Sequence, residues 1–186
     1  MPDDPSSSSS TPTESDRARA VVGALVRDVP DFPQPGVLFK DISPVLADPA
    51  GFAAAVTWLA AAFNEPVDKV VAIEARGFIL GAPVAFALKA GLVPVRKVGK
   101  LPAATVTESY TLEYGHAELE MHLDALCPGE HVLVVDDVVA TGGTAAATIA
   151  LVERCGADVV GLAALLEIEG LGGRERLSGY DVRVML

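Results

Sequence analysis

The stretch V-L-V-V-D-D-V-V-A-T-G-G-T, Val132 to Thr144, decides how the rest of the chain is read. The apolar run His131–Asp137 predicts a parallel strand buried on both faces, ending in two adjacent carboxylates, Asp136 and Asp137. A loop of small residues follows, Ala140-Thr141-Gly142-Gly143-Thr144, and opens directly into a helix, Thr144–Cys155, stopped by Gly156. Glycines let backbone N–H groups come close to an anion, Thr141 and Thr144 add hydroxyls, and the helix start adds its positive dipole end. This is a cradle for one phosphate group. The paired carboxylates are acceptors suited to a vicinal diol, such as the 2′ and 3′ hydroxyls of ribose. A bare G-G-T would read equally well as a tight turn. The strand, the acids, the glycine loop and the helix together select a sugar phosphate. Neither G-x-x-x-x-G-K-[ST] nor a G-x-G-x-x-G after a strand occurs, so P-loop and dinucleotide readings lose their main support.

Outward from this stretch the chain alternates between two periodicities. Asp16–Arg27 presents Ala18, Val21, Val22 and Leu25 on one helical face. Asp48-Pro49 supplies an N-cap and a first-turn proline for a helix to about Phe63. Lys69–Glu74 is a short β-branched strand, and an apolar helix follows to Lys89, ended by Gly91. Leu92–Lys97 predicts a strand, Lys100–Tyr114 a polar loop or hairpin, and Ala117–Met121 a further strand. Asp158–Ile168 and Asp181–Leu186 complete the set. Such alternation predicts an α/β fold, with a mostly parallel central sheet flanked by helices on both faces. Ligands of such sheets sit at the carboxyl ends of strands.

Composition narrows the function classes. The 186 residues suit one folded domain, 16–186, which needs no disulfide staples for its core. Residues 1–15 are acidic and Ser-rich and predict a disordered tail. The 14 Lys+Arg against 25 Asp+Glu give a net charge of −11, which argues against a nucleic-acid or anionic-membrane partner. The tail lacks the basic and apolar parts of a signal peptide, and no apolar run is long enough to span a bilayer. With only Cys127 and Cys155, the expectation is a cytoplasmic protein. His116, His122 and His131 lack ligand spacing, so a zinc site is not expected. Arg96, Lys97 and Lys100 are clustered cations in an acidic chain. Such a run is commonly a solvated surface, but this one lies at a predicted strand end.

The acidic pair with A-T-G-G-T resembles the phosphoribosyl-diphosphate signature of type I phosphoribosyltransferases. Four further blocks resemble the adenine-using branch of that family: Pro30–Pro44, E-A-R-G-F (Glu74–Phe78), R-K-V-G-K-L-P (Arg96–Pro102) and Y-T-L-E-Y-G (Tyr110–Gly115). They stand in family order and cover all but the tail. The resemblance implies the type I phosphoribosyltransferase fold, with a small hood region and a flexible catalytic loop. It implies a purine-salvage transferase joining adenine N9 to C1′ of 5-phosphoribosyl 1-diphosphate, with AMP and pyrophosphate as products. It also implies a homodimer, and Mg²⁺ held mainly through substrate and water rather than by direct protein ligands.

The resemblance distributes roles along the chain. Asp136, Asp137 and Ala140–Thr144 hold ribose and its 5-phosphate, and Glu74, Ala75, Arg76 and Gly77 form a pyrophosphate loop whose Glu74–Ala75 peptide is often cis. Arg96, Lys97 and Lys100 add positive charge for pyrophosphate, partly from a neighbouring subunit. Val37, Leu38, Phe39 and Lys40 form the adenine pocket, Phe39 stacking on the purine and Val138 covering its other face. Glu113 and Tyr114 belong to the catalytic loop, Glu113 sharing a proton near adenine N7 and Tyr114 excluding water. Two other readings fit parts of this pattern. A related transferase could prefer hypoxanthine, guanine or xanthine. A regulator of this fold would bind phosphoribosyl diphosphate without turnover, but it would carry a DNA-binding module in place of the acidic tail.

Overall fold

The computed structural model describes residues 12–111 and 116–186. They form two compact units, one ending at Ala54 and one running Ala55–Leu186. In the first, α1 (Glu14–Leu25) starts two residues before the helix expected from Asp16, because Thr13 caps it. Thr13 Oγ1 accepts from the Asp16 amide at 3.1 Å, and Asp16 Oδ2 accepts from the Thr13 amide at 3.0 Å. This closed capping box draws Thr13–Ser15 out of the expected tail and into the helix start. The helix also stops short of Arg27. Val26 turns extended, and Arg27 enters β1 (Arg27–Pro30), which pairs antiparallel with β2 (Leu38–Asp41). Ion pairs of Arg27 with Asp41 and of Lys40 with Asp28 lock that two-stranded sheet. A short α2 (Ser43–Ala47), unforeseen from periodicity, precedes α3 (Pro49–Ala60), whose start is capped as expected by Asp48 Oδ1 on the Gly51 amide at 2.7 Å.

The second unit carries β3 (Lys69–Ile73), α4 (Arg76–Leu88), β4 (Gly91–Lys97), β5 (Thr105–Thr111) and β6 (His116–His122). Then come β7 (His131–Val139), α5 (Gly143–Arg154), β8 (Asp158–Glu167), α6 (Gly173–Arg176) and β9 (Val182–Val184). The strands form one sheet in the order β5-β6-β4-β3-β7-β8-β9. The pairs from β4 through β9 are parallel, while β6 runs antiparallel to both β4 and β5. The expected mostly parallel α/β sheet is present, and the polar segment after Lys100 resolves into half of an antiparallel hairpin.

Alternation along β3 assigns a helix to each face. Val71 and Ile73 share an apolar cluster with Ala145, Ile149 and Val152 of α5. Ala72 points the other way, where a Cβ on Gly81 of α4 would collide with it. Glycine at position 81 therefore lets α4 lie close against β3. Among the described residues, no helix is long and apolar enough to cross a membrane.

Candidate active site

The sheet order itself marks a crevice. From β3 the chain crosses through α4 to β4 on one side, whereas from β7 it crosses through α5 to β8 on the other. Neighbouring β3 and β7 are parallel, so the two crossovers part at their carboxyl ends. Glu74–Gly77 follow β3 and Asp136–Thr144 close β7. The two stretches singled out in the sequence thus meet at one switch point.

Asp136 and Asp137 are both buried, at 8% and 6% exposure. The Asp137 amide donates to Asp136 Oδ1 at 2.8 Å. Arg76, from the first turn of α4, reaches across with its guanidinium 2.6 Å from Asp137 Oδ2. Burial pushes the Asp136 carboxyl well above its ordinary range, and the neighbouring Asp137 charge adds to the rise. The pair therefore combines a carboxyl inclined to keep a proton with a carboxylate neutralised by arginine, which offers a diol both a donor and acceptors. Gly77 explains the close approach: a Cβ there would lie 2.9 Å from Asp136 Oδ1. The Glu74–Ala75 peptide is cis, as the resemblance implied.

The loop after β7 leads into α5 with Gly142 at its N-cap, φ +72°, and no side chain caps the helix. Its first-turn amides are left to whatever occupies the adjoining cavity of about 220 Å³, lined by Asp136, Asp137, Val138, Ala140–Thr144 and Glu74. A Cβ on Gly142 would come 2.8 Å from the Gly173 carbonyl oxygen, and one on Gly173 would collide with the Ala140 carbonyl. Gly173, which begins α6, is thus the floor on which the loop rests. Sequence reasoning left Glu169–Leu177 without a role, since only the chain's return through β8 brings Gly173 beneath Gly142.

The basic cluster lies where the neighbouring strand ends. Arg96 Nε donates to Glu74 Oε2 at 3.3 Å, and the Lys97 amide donates to the same oxygen at 3.1 Å. Arg96 also donates through a terminal nitrogen to the Lys100 carbonyl at 3.0 Å. Glu74 is therefore a bracket for the end of β4 as well as a wall of the cavity. Lys97 and Lys100 are exposed.

An uncapped helix start, paired buried acids and nearby cations match the geometry needed for a phosphorylated sugar with an anionic leaving group. Residues 43–185 match the phosphoribosyl transferase domain family. The chain is 60% identical over 168 residues to adenine phosphoribosyltransferase of Nocardioides sp., covering 88% of this chain and 91% of that one. The chain belongs to the adenine phosphoribosyltransferase family. The crystal structure of the Rhodothermus marinus adenine phosphoribosyltransferase superposes with a TM-score of 0.87 at 53% identity, over 91% of this chain and 98% of that one. The Saccharomyces cerevisiae adenine phosphoribosyltransferase, solved with an imino-altritol bisphosphate and adenine, gives 0.87 at 35% identity, over 91% and 99%.

Of the residues expected to receive the base in an adenine phosphoribosyltransferase, Val37–Lys40 belong to the first unit and Val138 to β7 of the second. Leu38, Phe39 and Lys40 are on β2 and Val37 just precedes it. Val37 is held by its carbonyl, which accepts from the Phe32 amide at 3.3 Å. Leu38 is 52% exposed, and Phe39 meets Phe32 edge-on with centroids 5.1 Å apart. Phe32 was not foreseen; its only sequence signal is an aromatic seven positions before Phe39 across a proline turn. Lys40 is paired with Asp28 at 2.6 Å. Among the described residues, the strand pairing of β2 is with β1. Glu113 and Tyr114 lie outside the described residues. No group of three or more His, Cys, Asp and Glu that could hold a metal occurs among the described residues.

Proposed function

We propose that this chain transfers the 5-phosphoribosyl group of 5-phospho-α-D-ribose 1-diphosphate to N9 of adenine, giving AMP and pyrophosphate. The uncapped start of α5 beside the Asp136–Asp137 pair carries this reading. The amides of Gly142–Thr144 and the hydroxyls of Thr141 and Thr144 receive the 5-phosphate. Asp136 and Asp137 take the ribose hydroxyls, so C1′ faces the side where α4 begins. Arg76, with Arg96, Lys97 and Lys100, receives the pyrophosphate, and local positive charge there offsets the acidic chain. As the C1′–O bond breaks, positive charge gathers on the ribose ring and negative charge on the leaving oxygen. The buried carboxylate of Asp137 lies near the first, and the cations lie near the second. Mg²⁺, when bound to substrate oxygens, neutralises further leaving-group charge.

Adenine is read by the backbone of β2 near Leu38, with Phe39 stacked on the purine. Glu113 takes up or shares a proton at N7 as N9 becomes the nucleophile, and Tyr114 keeps water from the activated ribose. We further infer a cytoplasmic homodimer. Free Cys127 and Cys155 suit a reducing compartment. Phe86, 88% exposed, and Ile79, 46% exposed, one above the other on α4, offer an apolar face to a second copy.

The test is kcat/KM for adenine, hypoxanthine and guanine at saturating 5-phosphoribosyl diphosphate and Mg²⁺. Adenine presents an N6 donor beside an N1 acceptor, and a 6-oxopurine reverses both. Buried hydrogen-bonding groups reject such a mismatch strongly, so the oxopurines should be used at least about a hundredfold less well. Comparable values for adenine and hypoxanthine would refute the base assignment, and no AMP from adenine would refute the reaction.

A further inference from the structure

Glu120 is a buried acid that the proposed reaction does not use. On β6, Glu118 and Glu120 point to the same face, yet Glu118 is exposed and Glu120 is 4% exposed. A carboxylate is seldom buried unless its oxygens are satisfied. Here the partners are backbone amides of the turn that leaves β4. Oε1 accepts from Lys100 at 2.8 Å and from Leu101 at 2.9 Å. Against the upward push of burial, these donors hold Glu120 below the ordinary glutamate range, so it is an anion at neutral pH.

The turn is shaped by this anchor. Gly99 adopts φ +85°, and a Cβ there would meet nothing within 4 Å, so glycine serves the backbone conformation rather than packing. Register places Glu120 opposite Arg96 on β4 and opposite Thr107 on β5, at the point where the chain leaves one strand for the other. Arg96 donates to the Lys100 carbonyl, within the peptide run whose amides Glu120 holds. Glu74 fixes the other end through Arg96 and the Lys97 amide. Two carboxylates thus brace a segment that carries three cations.

We propose that Glu120 is a positioning residue for pyrophosphate: its carboxylate holds the Gly99–Leu101 turn in the shape that presents Arg96, Lys97 and Lys100 to the leaving group. This rests on the phosphoribosyl-transfer reading above and deepens its pyrophosphate half. Glu120 touches no substrate itself. Its effect falls on one end of the substrate, and that separates it from a residue that merely supports the hairpin.

The experiment measures pyrophosphate binding to the full chain by calorimetry with Mg²⁺, together with KM for both substrates. Glu120→Ala leaves amides unsatisfied and should weaken pyrophosphate roughly tenfold, raise KM for 5-phosphoribosyl diphosphate in step, and leave KM for adenine within about twofold. Glu120→Gln keeps an acceptor oxygen and should restore pyrophosphate binding to within about threefold of wild type. Gly99→Ala strains the same turn without touching the carboxylate and should give the same selective loss. It also remains informative should Glu120→Ala fail to fold. A folded Glu120→Ala or Gly99→Ala protein that binds pyrophosphate like wild type overturns the proposal, as does an equal loss toward both substrates. In that event wild-type AMP formation would still stand. Wild-type protein that makes no AMP overturns the reaction and this role with it.

Discussion

α1 and α5 both begin with amides that no helical carbonyl can reach, and they treat them in opposite ways. At α1, Thr13 and Asp16 close the end with reciprocal hydrogen bonds, and Glu14 adds a negative charge to the first turn. At α5 the N-cap is Gly142, no side chain bonds back, and the first turn holds no acid. The first arrangement favours the helix alone. The second leaves the helix end dependent on an outside anion, and it occurs at the carboxyl edge of a parallel sheet. A missing cap in an otherwise well-packed helix is thus a functional signal, because stability alone would have filled it.

The largest expected effect comes from filling that cap. Thr141→Asp brings a carboxylate to the α5 amides, where it competes with the substrate's 5-phosphate. KM for 5-phosphoribosyl diphosphate should rise roughly a hundredfold, while the melting temperature holds or increases because the helix end is now satisfied. An unchanged KM would break the comparison at its root, for it would mean that α5 does not receive the phosphate.

Gly142→Ala tests the same end by shape. The residue sits at φ +72° with the Gly173 carbonyl 2.8 Å from any added Cβ, so stability should fall by about 1–3 kcal/mol and KM for 5-phosphoribosyl diphosphate should rise about tenfold. Gly129→Ala is the control. It shares a positive φ of +81° but has open space around it, and it should lower the melting temperature slightly with KM unchanged. Equal KM effects at the two glycines would show that backbone strain alone, and not the loop's support on Gly173, explains the loss.

These predictions follow how the site could be read. The run from Val132 to Thr144 was legible because strand, acids, loop and helix start are contiguous, and each part has a local chemical signature. Glu74–Gly77 was legible for the same reason. Gly173 and Glu120 were not, since each acts on residues nineteen or more positions away and nothing near them in sequence hints at the partner. In the fold, β1 and α2 escaped notice because each is too short to express a period, and α1 ended early because Arg27 found a strand partner in Asp41. Distance in sequence hides these relations more than chemistry does.

A subtler contrast concerns the acids beside the two helix starts. Asp136 binds a proton more tightly in the folded chain than unfolded, mainly because it is buried and then because Asp137 is charged. Its contribution to stability is therefore fully present below the unfolded value of about 3.9 and is lost as pH rises toward the raised folded value. Asp136→Asn keeps an oxygen for the Asp137 amide and removes that titration. It should be more stable than wild type at neutral pH, equal to it in acid, and much less active. A variant less stable at neutral pH would show that the carboxylate is favoured where it sits, and that the site stores no strain.

The smallest effect is expected at Asp16, where the sign reverses. Its carboxyl is held below the ordinary range by the Thr13 hydroxyl and then by the Thr13 amide. Folding therefore favours the charged form, and the resulting stability is present above the unfolded value of about 3.9 and lost as pH falls through the folded one. Asp16→Asn should melt no more than about two degrees below wild type at neutral pH, because the box is solvent-exposed and one cap contributes little. The gap should close in acid. Turnover should not change, since no ligand depends on this helix end. Melting curves of Asp16→Asn and Asp136→Asn from about pH 3 to about pH 8 would place the two differences on opposite sides of wild type, converging at the acid end. Curves that diverge with the same sign would mean that both acids serve stability alone. The distinction between a helix end closed for folding and one left open for a ligand would then fail.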